Sequence, residues 1–509
     1  MWAHDIVVFC PPEDMELARS VVRAGALAVV DAVPTWHDET ARGAALFCKT
    51  VEDVETCTVS ALVLDDVALL ENRRVDVPVA VRIRSSEEAL EAAKRGASAV
   101  ILGPGGEGTL VVAQQLRGRI AIPWLIESTS GPAASAAARV IGASGVVLNW
   151  RTAGDRLADL RGYFRRLRTE CRTSAERAAH QRLLAEGAPF ARKFHARFPI
   201  VQGPMTRVSD GATFARAVGQ SGGVPTIALG VSAAAEVRAT LEEVSRTCAG
   251  PWGVGLLGFV EGELLVTQMA EVVAAKPSVA IVAGTNADAV LELESQGIAA
   301  FMHLPSPRLL ATFVRAGVRR FVFEGNECGG HIGPLSSLDL WGAAVEAIRG
   351  LGASAGELDV LAAGGIHDAM TAAVAAAVFA DAAELGATFG VLMGTAYLFT
   401  REAVSTGAIT ALYQTLALRC EHTVLLESGP GHVVRVADTA WAHEFRRERA
   451  RLVDECAGAE SLKQRLESLG LGRLRLAAKG FVRSDDEIAP ASLELQERQG
   501  SFMMGAVAT

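Results

Sequence analysis

Arg320-Phe321-Val322-Phe323-Glu324-Gly325-Asn326-Glu327-Cys328-Gly329-Gly330-His331-Ile332-Gly333-Pro334 reads as a short buried strand that runs into a glycine-rich turn and delivers a histidine. Glycines let backbone approach a ligand closely, and an imidazole moves a proton near neutral pH. Two more glycine signals follow at strand ends, Leu361-Ala362-Ala363-Gly364-Gly365-Ile366 and Leu392-Met393-Gly394-Thr395. In a (β/α)8 barrel the loops after the seventh and eighth strands form the usual phosphate cradle. Three such signals in this order point to a phosphate-bearing cofactor with a histidine beside it.

Outward from that stretch, the second half alternates strands and helices. Strands are expected at 199–202, 224–229, 253–257, 279–283, 299–303, 320–323, 358–362 and 390–392, with Ala/Glu/Arg-rich amphipathic stretches between them. Eight such units imply right-handed parallel crossovers and a closed barrel, an open doubly wound sheet being the alternative. The first half reads as a worn copy. Its strands at 99–102, 121–127 and 143–150 follow the rhythm of the last three, but Gly103-Pro104-Gly105-Gly106-Glu107-Gly108 carries no histidine. Glu127-Ser128-Thr129-Ser130 and Leu148-Asn149-Trp150 stand where the other two glycine signals would be.

The expected organisation is α/β throughout: a smaller degenerate barrel-like domain without a cofactor site (1–155), an Arg-rich helical linker with a solvated basic face (156–195), a (β/α)8 barrel (196–440), and a helical cap (441–509). The last eight residues, Phe502-Met503-Met504-Gly505-Ala506-Val507-Ala508-Thr509, are an apolar run, which suggests a fragment of a longer polypeptide.

The 509 residues carry 49 Lys plus Arg against 58 Asp plus Glu, a net of −9, which argues against a general nucleic-acid or anionic-membrane surface. Half of the chain is hydrophobic, as buried parallel strands require. Eight cysteines without a CxxC pair suggest neither a zinc site nor a disulfide framework, so a reduced, cytoplasmic setting and no metal are expected. No signal sequence opens the chain, and no apolar run is long enough to cross a bilayer.

Gly103-x-Gly105-x-x-Gly108, with Glu127 at ribose distance, matches the dinucleotide fingerprint as a string. Its context is wrong, because several β/α units precede it and Pro104 occupies the turn. Gly364-Gly365 and Gly394-Thr395 could be ordinary turn glycines. Their place on adjacent loops favours a phosphate held by helix N-terminal N–H groups. His331 at the mouth of the sixth strand is the candidate proton-handling residue. His303, ending the strand before, faces the same mouth. Cys328 adjoins the pocket as a small packing residue, and His432 lies in the turn Glu427-Ser428-Gly429-Pro430-Gly431-His432.

Pro199-Ile200-Val201-Gln202-Gly203-Pro204-Met205, Gly222-Gly223, Gly253-Val254-Gly255-Leu256, Glu327-Cys328-Gly329-Gly330-His331-Ile332-Gly333, Ala363-Gly364-Gly365-Ile366 and Met393-Gly394-Thr395 together resemble, over residues 196–405, the nitronate monooxygenase family, which includes flavin enoyl-[acyl carrier protein] reductases. The Glu327–Pro334 stretch, the Glu427–His432 turn and the terminal apolar run look most like flavin domains of polyketide and polyunsaturated fatty acid synthases. The resemblance implies a TIM barrel holding FMN. Its phosphate would lie at Gly364, Gly365, Gly394 and Thr395, and its ring near Gly203, Pro204, Met205, Gly255, Gly329 and Gly330. His331 would stand at its reactive edge, with His303 and Cys328 in the substrate pocket. It further implies NAD(P)H as reductant, an acyl-thioester or other small-molecule substrate, acyl carrier protein and other synthase domains as partners, and a homodimer. Three departures stand out: Gly255 where the family has Asn, Val-Pro after Gly222-Gly223, and Cys328 where Ala is common. Enoyl reduction, nitronate oxidation by O2 and a docking scaffold without chemistry are the rival functions.

Overall fold

The structure is a computed structural model that describes residues 5–10, 15–24, 26–31, 44–48, 61–72, 77–103, 109–129, 131–149, 159–259, 263–455, 458–484 and 487–507. The first unit is a closed barrel of eight parallel strands: β1 (Ile6–Cys10), β2 (Leu27–Asp31), β3 (Ala44–Cys48), β4 (Ala61–Leu64), β5 (Val79–Ile83), β6 (Ala99–Leu102), β7 (Trp124–Glu127) and β8 (Gly145–Asn149). β1 pairs β8 in the register Ile6↔Val146, which closes the ring. Val7, Val29, Val63, Ala80, Ile101, Leu125 and Val147 fill the interior, while alternate residues such as Val8, Val30 and Val100 pack outward against helices. Both faces are buried, so the strands read as continuous apolar runs.

The second unit has the strands β9 (Ile200–Gln202), β10 (Thr226–Ala228), β11 (Gly253–Leu257), β12 (Val279–Ala283), β13 (Ala299–His303), β14 (Arg320–Glu324), β16 (Asp359–Ala363) and β17 (Thr388–Met393) in one parallel sheet, with β17 returning to β9. A bridge between Val201 and Val224 brings the two ends together, so the ring is nearly closed and the open-sheet alternative falls. All eight expected strands are present in order. β14 continues one residue to Glu324, and β17 is longer at both ends, while β10 is shorter than expected.

The segment between the barrels is helical and keeps a solvated basic face, with Arg161, Arg165, Arg166 and Arg172 exposed, but it also has a buried one. The helix Leu160–His180 buries Leu160, Tyr163, Phe164 and Leu167. Arg168 holds Asp5 through two bonds of 2.7 and 2.8 Å, and Arg177 meets Glu170 on its own helix and Asp381 and Glu384 of the second barrel. Alternation of apolar and basic positions at helical period gave this helix a buried face, and carboxylates of the two barrels meet Arg168 and Arg177 on the other. One continuous apolar cluster runs from Ile6 through Leu110 and Ala134 to Trp341 and Phe379, fusing the helical layers of the two units.

Beyond the second barrel, β18 (Thr423–Gly429) and β19 (His432–Ala437) form a hairpin that pairs antiparallel with β15 (Gly330–His331). This small sheet closes the segment 196–440, where the barrel alone was expected, and a second hairpin of Phe481–Ser484 and Glu487–Pro490 interrupts the segment 441–509 expected to be helical. Helices Ala440–Asp454 and Ala459–Gly470 pack on it. The last described residues are built in: Phe502 carbonyl accepts from Ala437 N–H at 2.8 Å, and Tyr413 hydroxyl donates to Met503 carbonyl at 2.6 Å.

Of the dinucleotide-like string, residues 104–108 lie outside the described residues, as does Trp150. At its start, a side chain on Gly103 would come within 3.2 Å of Arg82 Nε. Arg82 grips Glu127 through two 2.7 Å bonds, so the carboxylate proposed for a ribose is engaged in an ion pair at the first barrel's mouth. Among the described residues no helix is long and apolar enough to cross a membrane.

Candidate active site

Side chains alternate across a strand, so the inward positions below the mouth of the second barrel fix which residues come next at its rim. Phe301, Val322 and Leu361 lie in the interior cluster; two residues further along the same strands stand His303, Glu324 and Ala363. His303 and Glu324 meet there, Nδ1 to Oε2, at 3.3 Å. Burial pushes the imidazole down to about 4 and the carboxyl up to about 7. About a quarter of each side chain remains open to the mouth, 23% and 27%, which tempers both shifts. At neutral pH the imidazole is neutral and the carboxyl is about half protonated, so the contact is not a full salt bridge and one exchangeable proton is available at Glu324. Glu324 is quoted in the deciding stretch, yet its role escaped the sequence reading. The signal was its place two residues after an inward valine.

The loop after β14 is braced from below. Glu327 is fully buried, and one of its oxygens accepts from Ser337 N–H at 2.8 Å and Ser337 Oγ at 2.6 Å. The same Ser337 Oγ lies 2.9 Å from Gly364 O, its one hydrogen shared between that carbonyl and Glu327, so the loops after β14 and β16 share one anchor. Trp341 Nε1 donates to the carbonyls of Phe323 and Ala363 at 3.0 and 3.2 Å. Cys328 is buried, and burial holds its thiol well above the ordinary range, so it is no thiolate nucleophile. Its Sγ lies 3.5 Å from His331 O, where it supports the turn.

His331 sits on β15, exposed at the rim, with its ring 6.5 Å from that of Phe259. Packing on its inner side, then the neighbouring His432, lower its pKa, and Glu467 opposes them. The direction of this shift favours a neutral ring. His432 opens β19 and so does come near His331, through the hairpin.

Gly364 (φ +98°) and Gly365 (φ +69°) are consecutive left-handed residues, and a side chain on Gly364 would lie 2.7 Å from Gly325 N. The loop is thus glycine by necessity. The helix that follows, Ala369–Glu384, is already capped: Asp368 accepts from Thr371 N–H at 2.8 Å in a full capping box. That carboxylate takes the place expected for a phosphate at this helix end. The short 3₁₀ helix Thr395–Phe399 differs, because Gly394 precedes it and supplies no side-chain cap. A side chain at Gly394 would meet nothing nearer than Met205 Sδ at 3.7 Å. Uncapped N–H groups beside open space suit a phosphate. The residues present therefore fit FMN, with the phosphate against Gly394 and Thr395 and the adjoining Gly364-Gly365 turn rather than on the capped first turn of the longer helix.

The remaining ring-side candidates converge on the same rim. Gly203 N–H donates to Met393 O at 2.8 Å, and Met205 N–H to Ser209 Oγ at 2.8 Å. A side chain on Gly255 would fall 2.2 Å from Pro204 Cβ, so the departure from Asn makes room for the Pro204 ring. The C-terminal segment also reaches the site, which sequence reading missed. Gly505 N–H donates to Thr395 Oγ1 at 2.8 Å, Ala506 N–H to Glu327 O at 2.9 Å, and a side chain on Gly329 would lie 2.6 Å from Met504 C. A cavity of about 460 Å³ opens on the rim at Gly258, Phe259, Asn286 and Asp288. A larger one, about 680 Å³, lies at the opposite end near His180 and Thr388. Barrel enzymes keep chemistry at the C-terminal face, so the larger one is set aside.

Residues 257–489 match the family model described as nitronate monooxygenase. A nitronate monooxygenase of Pseudomonas aeruginosa is 30% identical over 260 residues, covering 43% of this chain and 71% of that protein. Among solved structures, FabK from Thermotoga maritima matches with a TM-score of 0.50 and 23% identity, over 62% of this chain and 88% of that one. A nitroalkane oxidase from Streptomyces ansochromogenes matches with a TM-score of 0.47 and 18% identity, over 62% and 92%.

Proposed function

The chain belongs to the nitronate monooxygenase family of FMN-dependent oxidoreductases, and from that premise we propose that it reduces an enoyl thioester with NAD(P)H as a component of a polyketide or lipid synthase. The observation that carries this reading is the meeting, on one rim, of an uncapped glycine cradle with proton-bearing side chains of two kinds. FMN supplies hydride transfer when bound. Gly394 and Thr395 hold its phosphate through backbone N–H and hydroxyl, and Gly203, Pro204 and Met205 support the ring. His331, neutral and exposed at the rim, handles the proton at the substrate α-carbon. His303 and Glu324 hold a second proton within the mouth. An acyl carrier protein would present the thioester, and a homodimer is compatible with this arrangement.

Nitronate oxidation is the second reading, favoured by the Pseudomonas relative. There His331 would take the α-proton where the neutral nitroalkane is the form bound, and would lie beside the anionic group where the nitronate itself is bound. The test is the anaerobic visible spectrum of the purified protein. Bleaching by NAD(P)H and recovery on adding an enoyl thioester supports the first reading. Bleaching by a nitronate, with no response to NAD(P)H, supports the second. A flavin that answers neither leaves the docking-scaffold function.

A further inference from the structure

The helix Thr109–Leu116 of the first barrel is apolar nearly all round, with Thr109, Leu110, Val111, Val112, Ala113 and Leu116 buried. A helix of that kind lies between two packed bodies. Its polar contacts with the second barrel, among the described residues, come from Gln114 and are aimed at the loop after β16. Gln114 Oε1 lies 2.8 Å from His367 Nε2, and the other ring nitrogen of His367 lies 2.8 Å from Gly365 O. Gln114 Nε2 donates to Asp368 Oδ2 at 2.7 Å, while Oδ1 of the same carboxylate caps the helix Ala369–Glu384. Leu110 adds an apolar contact, 3.7 Å from where a side chain on Gly365 would begin.

A second grip lies on the other flank of the same loop. Ser128 Oγ, Thr129 N–H and Thr129 Oγ1 donate to Asp339 Oδ1 at 2.8, 2.7 and 2.6 Å. Asp339 is in the first turn of the helix Ser337–Arg349, whose first residue binds Glu327 and the carbonyl of Gly364. The first barrel therefore fixes the starts of both helices between which Gly364 and Gly365 are strung. Consecutive left-handed glycines have the largest conformational freedom to lose, so a loop made of them needs such anchors to hold one shape.

We propose that the first barrel serves as a positioning unit for the cofactor loop of the second, with Gln114 and His367 as the positioning residues. This rests on the FMN reading. Gln114 touches neither cofactor nor substrate; it acts through His367 and Asp368 on the Gly365 backbone. The barrel that carries no glycine–histidine site of its own thereby contributes to the site of its neighbour.

The test uses the full chain, stripped of flavin and titrated with FMN by fluorescence, beside thermal unfolding of the apo form. Gln114→Leu and His367→Leu should each raise the FMN Kd about tenfold, the effect of losing one well-made hydrogen-bond link. The double variant should lose less than the sum of the two single losses, because the Gln114–His367 bond is common to both while Gln114–Asp368 and His367–Gly365 are not. Gln114→Asn, one methylene shorter, should behave like Gln114→Leu and guards against a folding failure. In the apo variants the Gly365 and Ile366 amides should exchange faster. Arg177→Ala removes contacts between the same two bodies far from the loop; it should lower the apo Tm and leave the FMN Kd unchanged. The proposal is overturned if Gln114→Leu and Gln114→Asn bind FMN within twofold of the parent, or if Arg177→Ala weakens FMN as much. A parent chain that takes up no FMN would instead sink the cofactor reading, and this proposal with it.

Discussion

His331 and Glu324 divide the proton handling of the rim by exposure. His331→Ala leaves the glycine cradle intact, so FMN should be retained. The half-reaction with substrate should slow by about 10²–10⁴, the range for a lost general acid or base, while reduction by NAD(P)H falls much less. Stopped-flow flavin absorbance for each half-reaction checks this; equal, small effects on both would make His331 structural. The His303–Glu324 couple makes a prediction about stability. Glu324, raised to about 7, stabilises fully below its unfolded value near 4.5 and loses that contribution as pH rises through about 7. His303, depressed to about 4, does the opposite: its contribution grows as pH rises from about 4 to 6.5. Between about 4.5 and 6.5 the two slopes cancel. Glu324→Gln removes one of them, so the variant's stability relative to the parent should climb through that window by up to about 3 kcal/mol. Urea unfolding at a series of pH values reads this, and a parent and variant that run parallel would refute the couple.

At the scale of elements, the two glycine turns of the cradle are not equivalent. Gly365 is left-handed and packed against Glu327, so any side chain there disturbs the fold. Gly394 has an ordinary φ of −110°, and a Cβ there would make only an ordinary contact with the flexible Met205 side chain, at 3.7 Å. Gly394→Asp should therefore fold normally and lose flavin, because its carboxylate meets the phosphate with like charge. Near-parental Tm with a colourless protein is the expected pair of results, and a variant as yellow as the parent would show the phosphate to lie elsewhere. Asp368 already caps the long helix, so Asp368→Ala should cost about 1 kcal/mol in stability. Denaturant titration would measure it.

The whole molecule behaves as one body in this account. Its outer apolar layer is shared by both barrels, and the helix Leu160–His180 ties them with ion pairs to each. Calorimetry of the full chain should show a single cooperative transition, and two well-separated transitions would mean the barrels fold independently. Flavin stoichiometry should be one per chain, because Arg82 and Glu127 occupy the first barrel's mouth. Two equivalents would overturn that.

The order of strands and helices, the two-barrel architecture and the glycine–histidine motifs were legible in the sequence, because each is a local pattern: apolar period, turn glycine, strand end. The role of Glu324 was nearly so, since alternation along β14 alone places it inward, but its partner on β13 is fixed only by strand register. Sequence could not give the contact of Gln114 with His367, 253 residues apart, or the return of Gly505 to Thr395. The solvated basic face of the Arg-rich helix was legible, with Arg161, Arg165, Arg166 and Arg172 exposed, but the pairing of Arg168 with Asp5, of Arg177 with Asp381, and the capping of the long helix by Asp368 are decided by packing. Local chemistry names the groups that can act; only the closed tertiary fold decides which of them meet, since contacts between distant segments depend on how whole layers dock.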